Sequence, residues 1–182
     1  MSENNNAKIL GDGTIGPGKY NNIKIMGNAT ATGDIECINL VVMGEVEVKK
    51  NIRFDNINIL GEMSLSGNCE GDYFRNKGKV EVDGLLSADK IEIVPKEVSR
   101  IEEIGGSEII IKKSGWIDIS GGKVISKLIE GDNITLQNTI CNVVRGHDIN
   151  ILSGCSIDKI EYTGKLTIDK KSKVGEEICL RN

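Results

Sequence analysis

The chain has 182 residues, a formal net charge of -4 and a pI near 5.2, so its surface lacks the basic field that a nucleic-acid partner selects. Aromatic residues make up only 3% while glycine numbers 22, which suits a narrow aliphatic core with little room for rings. No apolar run approaches the roughly 18 residues that cross a bilayer and no basic-then-apolar leader opens the chain, so a cytoplasmic location is expected, membrane association staying open.

Residues 1–19 read as a flexible N-terminal tail, because an asparagine run is followed by Gly11, Gly13, Gly16, Pro17 and Gly18. Ala7 to Leu10 is too short for an amphipathic membrane helix. Gly11-Asp12-Gly13 is not a phosphate loop, since no strand precedes it and no GK[ST] ending follows.

From Tyr20 the chain repeats every seventeen residues. Positions 23, 40, 57, 74 and 91 read Ile, Leu, Ile, Phe, Ile, and positions 25, 42, 59, 76 and 93 read Ile, Val, Ile, Asn, Ile. Further columns hold Ala29, Val46, Met63, Val80 and Ala31, Val48, Leu65, Val82, then Ile35, Ile52, Cys69, Leu86 and Cys37, Phe54, Gly71, Ala88. Each row thus carries three apolar-x-apolar dyads, and such alternation puts both members of a dyad on one face of a short strand. Three strands joined at tight corners close into a triangular coil with the dyads inside. That is a single-stranded parallel β-helix, an all-β solenoid, of about 17 residues per coil, its coils about 4.7–4.9 Å apart.

The other columns fit this register. Gly27, Gly44, Gly61 and Gly78 share a corner, where a sharp bend penalises a Cβ. Asn22, Asn39 and Asn56 stack as a side-chain amide ladder, and Glu36, Arg53 and Glu70 stack outside with alternating sign. Met26, Met43 and Leu60, beside outward-facing Val41, form an exposed apolar ridge that reads as a lateral contact surface.

The first block of coils spans 20–94. Asp72 to Lys77 reads as a local bulge or a solvent-facing irregularity, with Asn76 at an inward position. Residues 95–106, with Pro95 and several charges, read as an excursion that breaks the register. The second block, 107–182, is ordered by the column Ile117, Ile134, Ile151, Ile168 and by Ile140, Ile157, Val174. About nine coils result, a rod about 40 Å long at the strand spacing.

Little in the chain points to catalysis. The single histidine, His147, adjoins Asp148, but neighbours on a strand or turn point to different sides, so a turn or surface role is expected. Cys37, Cys69, Cys141, Cys155 and Cys179 show no CxxC or Cys/His spacing, so no metal or cofactor is expected, and Cys37 and Cys69 fall in inward columns as small apolar residues. Trp116 is read as a cover for the coil near the register break.

The run Tyr20-Asn-Asn-Ile-Lys-Ile-Met-Gly-Asn-Ala-Thr-Ala-Thr-Gly-Asp-Ile-Glu-Cys37, followed by Gly44-Glu-Val-Glu-Val48, resembles the bactofilins, polymer-forming bacterial cytoskeletal proteins. The resemblance implies a right-handed triangular β-helix. It also implies nucleotide-independent, non-polar filaments built end to end, scaffolding cell-shape, envelope or motility machinery. The chain departs from the family in its longer coil region and in lacking proline-rich flanks.

End-to-end assembly also follows from the fold, because the last coil at either end exposes unpaired backbone groups and half-covered core side chains. Ile23 and Ile25 at one end, and Val174, Ile178 and Leu180 at the other, are the residues expected to meet. The rival reading is a left-handed hexapeptide acyltransferase. Such folds favour three equal hexads and a histidine in a trimer cleft, whereas here the dyads start at offsets of six, six and five.

Overall fold

The structure is a computed structural model that describes residues 5–115 and 121–180. Trp116 and Ile117 lie outside the described residues. Thirteen strands run in chain order: β1 (Asn6–Ile15), β2 (Gly18–Ala31), β3 (Ile35–Val42), β4 (Glu45–Val48), β5 (Ile52–Ile59), β6 (Glu62–Leu65), β7 (Cys69–Pro95), β8 (Val98–Ile111), β9 (Lys123–Leu136), β10 (Thr139–Ile151), β11 (Ser156–Tyr162), β12 (Leu166–Ile168) and β13 (Lys173–Cys179). Every pairing between them is parallel, and they wind into an all-β solenoid of about 10 turns.

The inward dyads decide the register. Ile23 lies beneath Leu40, Leu40 beneath Ile57 and Ile57 beneath Phe74, and all four are buried. A slip of one residue would expose these side chains and bury Glu36, Arg53 and Glu70 instead. Two rings from different columns are accommodated by leaving a side chain out of one of those columns. Phe54 lies opposite Gly71, where a Cβ would meet the Phe54 ring, and its own ring tilts against Phe74 at 6.2 Å between centroids.

Polar ladders tie the corners. Asn39 donates to Asn22 at 3.0 Å and Asn22 donates to Asn6 at 3.0 Å. A second ladder, absent from the sequence reading, runs from Asp34 through Asn51 and Asn68 to the backbone N–H of Leu85, in bonds of 2.9–3.1 Å. Asn51 donates to Asp34 from both its amide and its backbone N–H, and these bonds hold the Asp34 carboxyl below the usual carboxylate range. On the outer surface Lys19 pairs with Glu36 at 2.8 Å and Arg53 with Glu70 at 3.7 Å, continuing the expected alternation of sign.

Several expectations change. The segment read as a flexible tail contains β1, a full strand of the solenoid, with Ala7 over Ile23, Ile9 over Ile25 and Gly11 over Gly27. Asp72 to Lys77 keeps an unbroken register with β5, so there is no bulge there; the irregularity falls between Val82 and Leu85. Nor do residues 95–106 leave the coil. β8 begins at Val98 and pairs with β7, and the long connection lies between β8 and β9, where Val98 sits opposite Lys123.

The second block is not held to a seventeen-residue repeat. Ile134 stacks on Ile149, not Ile151, because the coil from β9 to β10 is fifteen residues long. Ile140 sits opposite Ser156 and is exposed, while Cys141 takes the inward place over Ile157. Ile151 does stack on Ile168, and Ile157 on Val174, as expected.

Candidate interaction surfaces at the ends and along one corner

The first end is built by β1, which among the described residues pairs on one side alone, with β2. Its inward side chains Ala7 and Ile9 are half-buried. They cover Ile23 and Ile25, which are 2% and 0% exposed. Ile23 and Ile25 are therefore core residues of the second coil, and Ala7 and Ile9 occupy the terminal position assigned to them.

At the other end Leu166 and Ile168 cover Ile149 and Ile151, and Val174 covers Ile157, all three half-buried. Val174 stands where the sequence places it. Ile178 does not: it lies over Glu161, in the outward column that contains Arg145. The inward place over Ile160 is taken by Glu177. Leu180, half-exposed at 50%, donates its N–H to Tyr162. Ser172 caps this end from within, accepting from the Cys155 N–H at 2.9 Å and donating to the Leu152 carbonyl at 2.6 Å. The first end thus offers an aliphatic pair, and the second an aliphatic triad beside one carboxylate.

The ridge expected at Met26, Met43 and Leu60 is present and longer than the sequence reading gave. Leu10 stacks on Met26 and is the most exposed large apolar side chain described, at 65%. Met43 and Leu60 follow at 38% and 47%. Val41, half-buried, lies between Lys24 and Asn58 on the adjoining strand face. Leu10 escapes a seventeen-residue search because the first coil is sixteen residues long.

His147 and Asp148, expected to point to different sides, approach instead, with Nε2 4.0 Å from Oδ1, but no further chemically suggestive side chain joins them among the described residues. His147 is exposed, its Nδ1 lies 2.9 Å from the Thr163 hydroxyl, and Asp148 spends a carboxylate oxygen on the Lys165 N–H at 2.7 Å. Among the described residues no group of three His, Cys, Asp or Glu side chains is placed to hold a metal ion. Cys37, Cys69, Cys141 and Cys155 are buried, and burial pushes the Cys37 and Cys141 thiols up to about 12. Among the described residues no helix is long and apolar enough to cross a membrane.

Comparison with known proteins adds relatives but no activity. The chain is 38% identical over 99 residues to the uncharacterized protein YhbF of Bacillus subtilis (strain 168), a match covering 53% of this chain and 42% of the relative. It is 32% identical over 100 residues to the uncharacterized protein YhbE of the same organism, covering 52% and 42%. The matched regions thus span less than half the length of these curated relatives. No protein-family model matches the chain, and no solved structure does.

Proposed function

We propose that this protein is a structural, self-assembling scaffold whose solenoids stack end to end into filaments, as the resemblance to the bactofilins implies. The observation that supports the reading is a pair of ends that no further strand covers among the described residues. Ala7 and Ile9 at one, and Leu166, Ile168 and Val174 at the other, are aliphatic residues of core columns left half-covered. A strand edge with unpaired N–H and C=O groups pairs with another unless something blocks it. Joining two ends completes the ladder and removes these side chains from water, at about 25 cal/mol per Å² of apolar surface. No nucleotide is required, because the driving force is burial and backbone pairing. In this reading the coil is right-handed and triangular, and the filament serves as a platform for cell-envelope or motility proteins.

The test is electron microscopy of the purified protein beside two variants, Ile9→Arg and Val174→Arg. Each places a charge at a junction, at the half-buried end of a core column and not among its fully buried members, so circular dichroism should be unchanged and filaments should be lost. Filaments persisting in both variants would refute the assignment of the ends. A wild-type protein that stays monomeric at high concentration would refute the function.

A further inference from the structure

Along the ridge formed by Leu10, Met26, Met43 and Leu60, charge is distributed in a way that selects a partner and an orientation. Gly11, Gly27, Gly44, Gly61 and Gly78 line the corner immediately beyond the ridge, so no side chain shields it there. On one flank, two residues before each ridge position, stand Lys8 and Lys24, stacked one over the other, then Val41 and Asn58. On the opposite flank, across the glycine corner, stand Asp12, Asn28, Glu45 and Glu62. One side of the apolar stripe is therefore basic and the other acidic.

Part of this charge is met within the chain, Glu62 by Lys79 at 3.8 Å and Asp12 by the Asn28 amide at 2.9 Å, and part is not. Other outward columns hold paired opposite charges, as in Lys19 with Glu36, or Arg145 held between Glu130 at 2.9 Å and Glu161 at 2.7 Å. Beside the ridge, like stacks on like: Lys8 on Lys24, and Glu45 on Glu62. Among the described residues neither Lys8 nor Lys24 has a carboxylate partner, and Glu45 has no cation. Stacked like charges destabilise a sheet by themselves. A partner presenting the opposite sign along each flank would compensate them.

We infer that the ridge is the contact surface for a second copy of this chain lying alongside in the same direction, related by a two-fold axis parallel to the solenoid axis. The direction follows from the charges. Rotation about an axis along the rod brings the basic flank of one copy opposite the acidic flank of the other, with ridge against ridge. Rotation about an axis perpendicular to the rod, which makes the copies antiparallel, sets basic against basic and acidic against acidic, and is disfavoured. In the parallel arrangement each ridge residue faces its own counterpart, Lys8 faces the level of Asp12 and Lys24 that of Asn28, with Glu45 one coil further on. Four apolar side chains make a small and weak contact, below the standard interface size of about 1,600 Å². The inference does not depend on end-to-end stacking, which would only multiply the contact along a rod.

Disulfide trapping tests the pairing in a Cys179→Ser background, with Lys50→Cys on another corner as the collision control. Leu10→Cys and Leu60→Cys are each expected to form homodimeric disulfides above that control, because the two-fold places like opposite like. Antiparallel pairing would instead crosslink only the mixture of the two variants, and overturns the proposed orientation. Adding Lys8→Glu and Lys24→Glu should lower the homodimer yield roughly fivefold, and adding Asp12→Lys and Glu45→Lys to the same chain should restore it. No crosslink above control overturns the proposal. So does co-sedimentation with phosphatidylserine vesicles that abolishes crosslinking, which would assign the ridge to an anionic lipid surface. Filaments without these crosslinks would leave end stacking standing and remove only the lateral pair.

Discussion

Replacing Gly44 with alanine perturbs the solenoid at the corner where successive coils approach most closely. Gly44 has φ +150°, and a Cβ there would lie 3.0 Å from both the carbonyl carbon and the nitrogen of Gly27, and nearer still to the carbonyl oxygen. Backbone does not yield as a side-chain tip does, so two coils must part. Backbone strain of about 1–3 kcal/mol and an overpacking cost of about 1–3 kcal/mol give an expected loss of roughly 2–6 kcal/mol. Gly11 has φ +94° but nothing within 4 Å of a Cβ, so Gly11→Ala carries only the strain, about 1 kcal/mol. Gly16 has neither obstruction nor positive φ, and Gly16→Ala should be neutral or stabilising by about 0.4–1 kcal/mol through the unfolded chain. Urea denaturation should be run in the Ile9→Arg, Val174→Arg background, so that assembly does not add to apparent stability. Equal midpoints for the three alanine variants, or a Gly44→Ala loss under about 1 kcal/mol, would refute the stacking of glycine on glycine at this corner.

Asn76 is fully buried in the column between Ile59 and Ile93, and its Oδ1 has no hydrogen-bond partner, while its Nδ2 donates to the Lys79 carbonyl at 3.3 Å. Removing an unsatisfied buried carbonyl is worth about 1–3 kcal/mol against about 1 kcal/mol for the lost bond, so Asn76→Val should raise the urea midpoint; a lowered midpoint would contradict the account. Native protein should release one equivalent in a thiol titration at neutral pH, from exposed Cys179, and all five only on unfolding, since the other four thiols are buried. More than one fast-reacting thiol would place a cysteine outside the core. The Asp34 carboxyl is depressed by bonds from Asn51, so its contribution to stability is present above its unfolded pKa and is lost as pH falls through the folded value. Asp34→Asn should therefore lose less stability on acidification than the wild type; identical acid limbs would show that the ladder carries no such linkage.

The fold was legible where coil length is constant. From Tyr20 to Ile93 the inward columns named from the sequence are the buried columns of the structure, because seventeen-residue coils put like residues in one column. Reading failed where the length changes. The first coil is one residue shorter, so Asn6, Ile9, Leu10 and Gly11 fall out of step with Asn22, Ile25, Met26 and Gly27, although they stack on them. In the second half, offsets of twenty-five, fifteen and sixteen to seventeen residues make Ile134 and Ile151 appear to stack when Ile149 is the partner. The ends were harder still. A terminal position is defined by what fails to pair, so misplacing one coil moved Ile23 and Ile25 from the core to the tip. The ladder from Asp34 to Asn68 kept the seventeen-residue spacing but lies on the outside, where polar residues carry no hydrophobic period to follow.

The measurement closest to the central claim is diffraction from oriented assemblies of the purified protein. The account predicts filaments with a meridional reflection at about 4.7–4.9 Å along their axis, because coils would stack through each junction at the same spacing as within the chain. Monomers at high concentration, or filaments whose strand spacing runs across the axis, would contradict it.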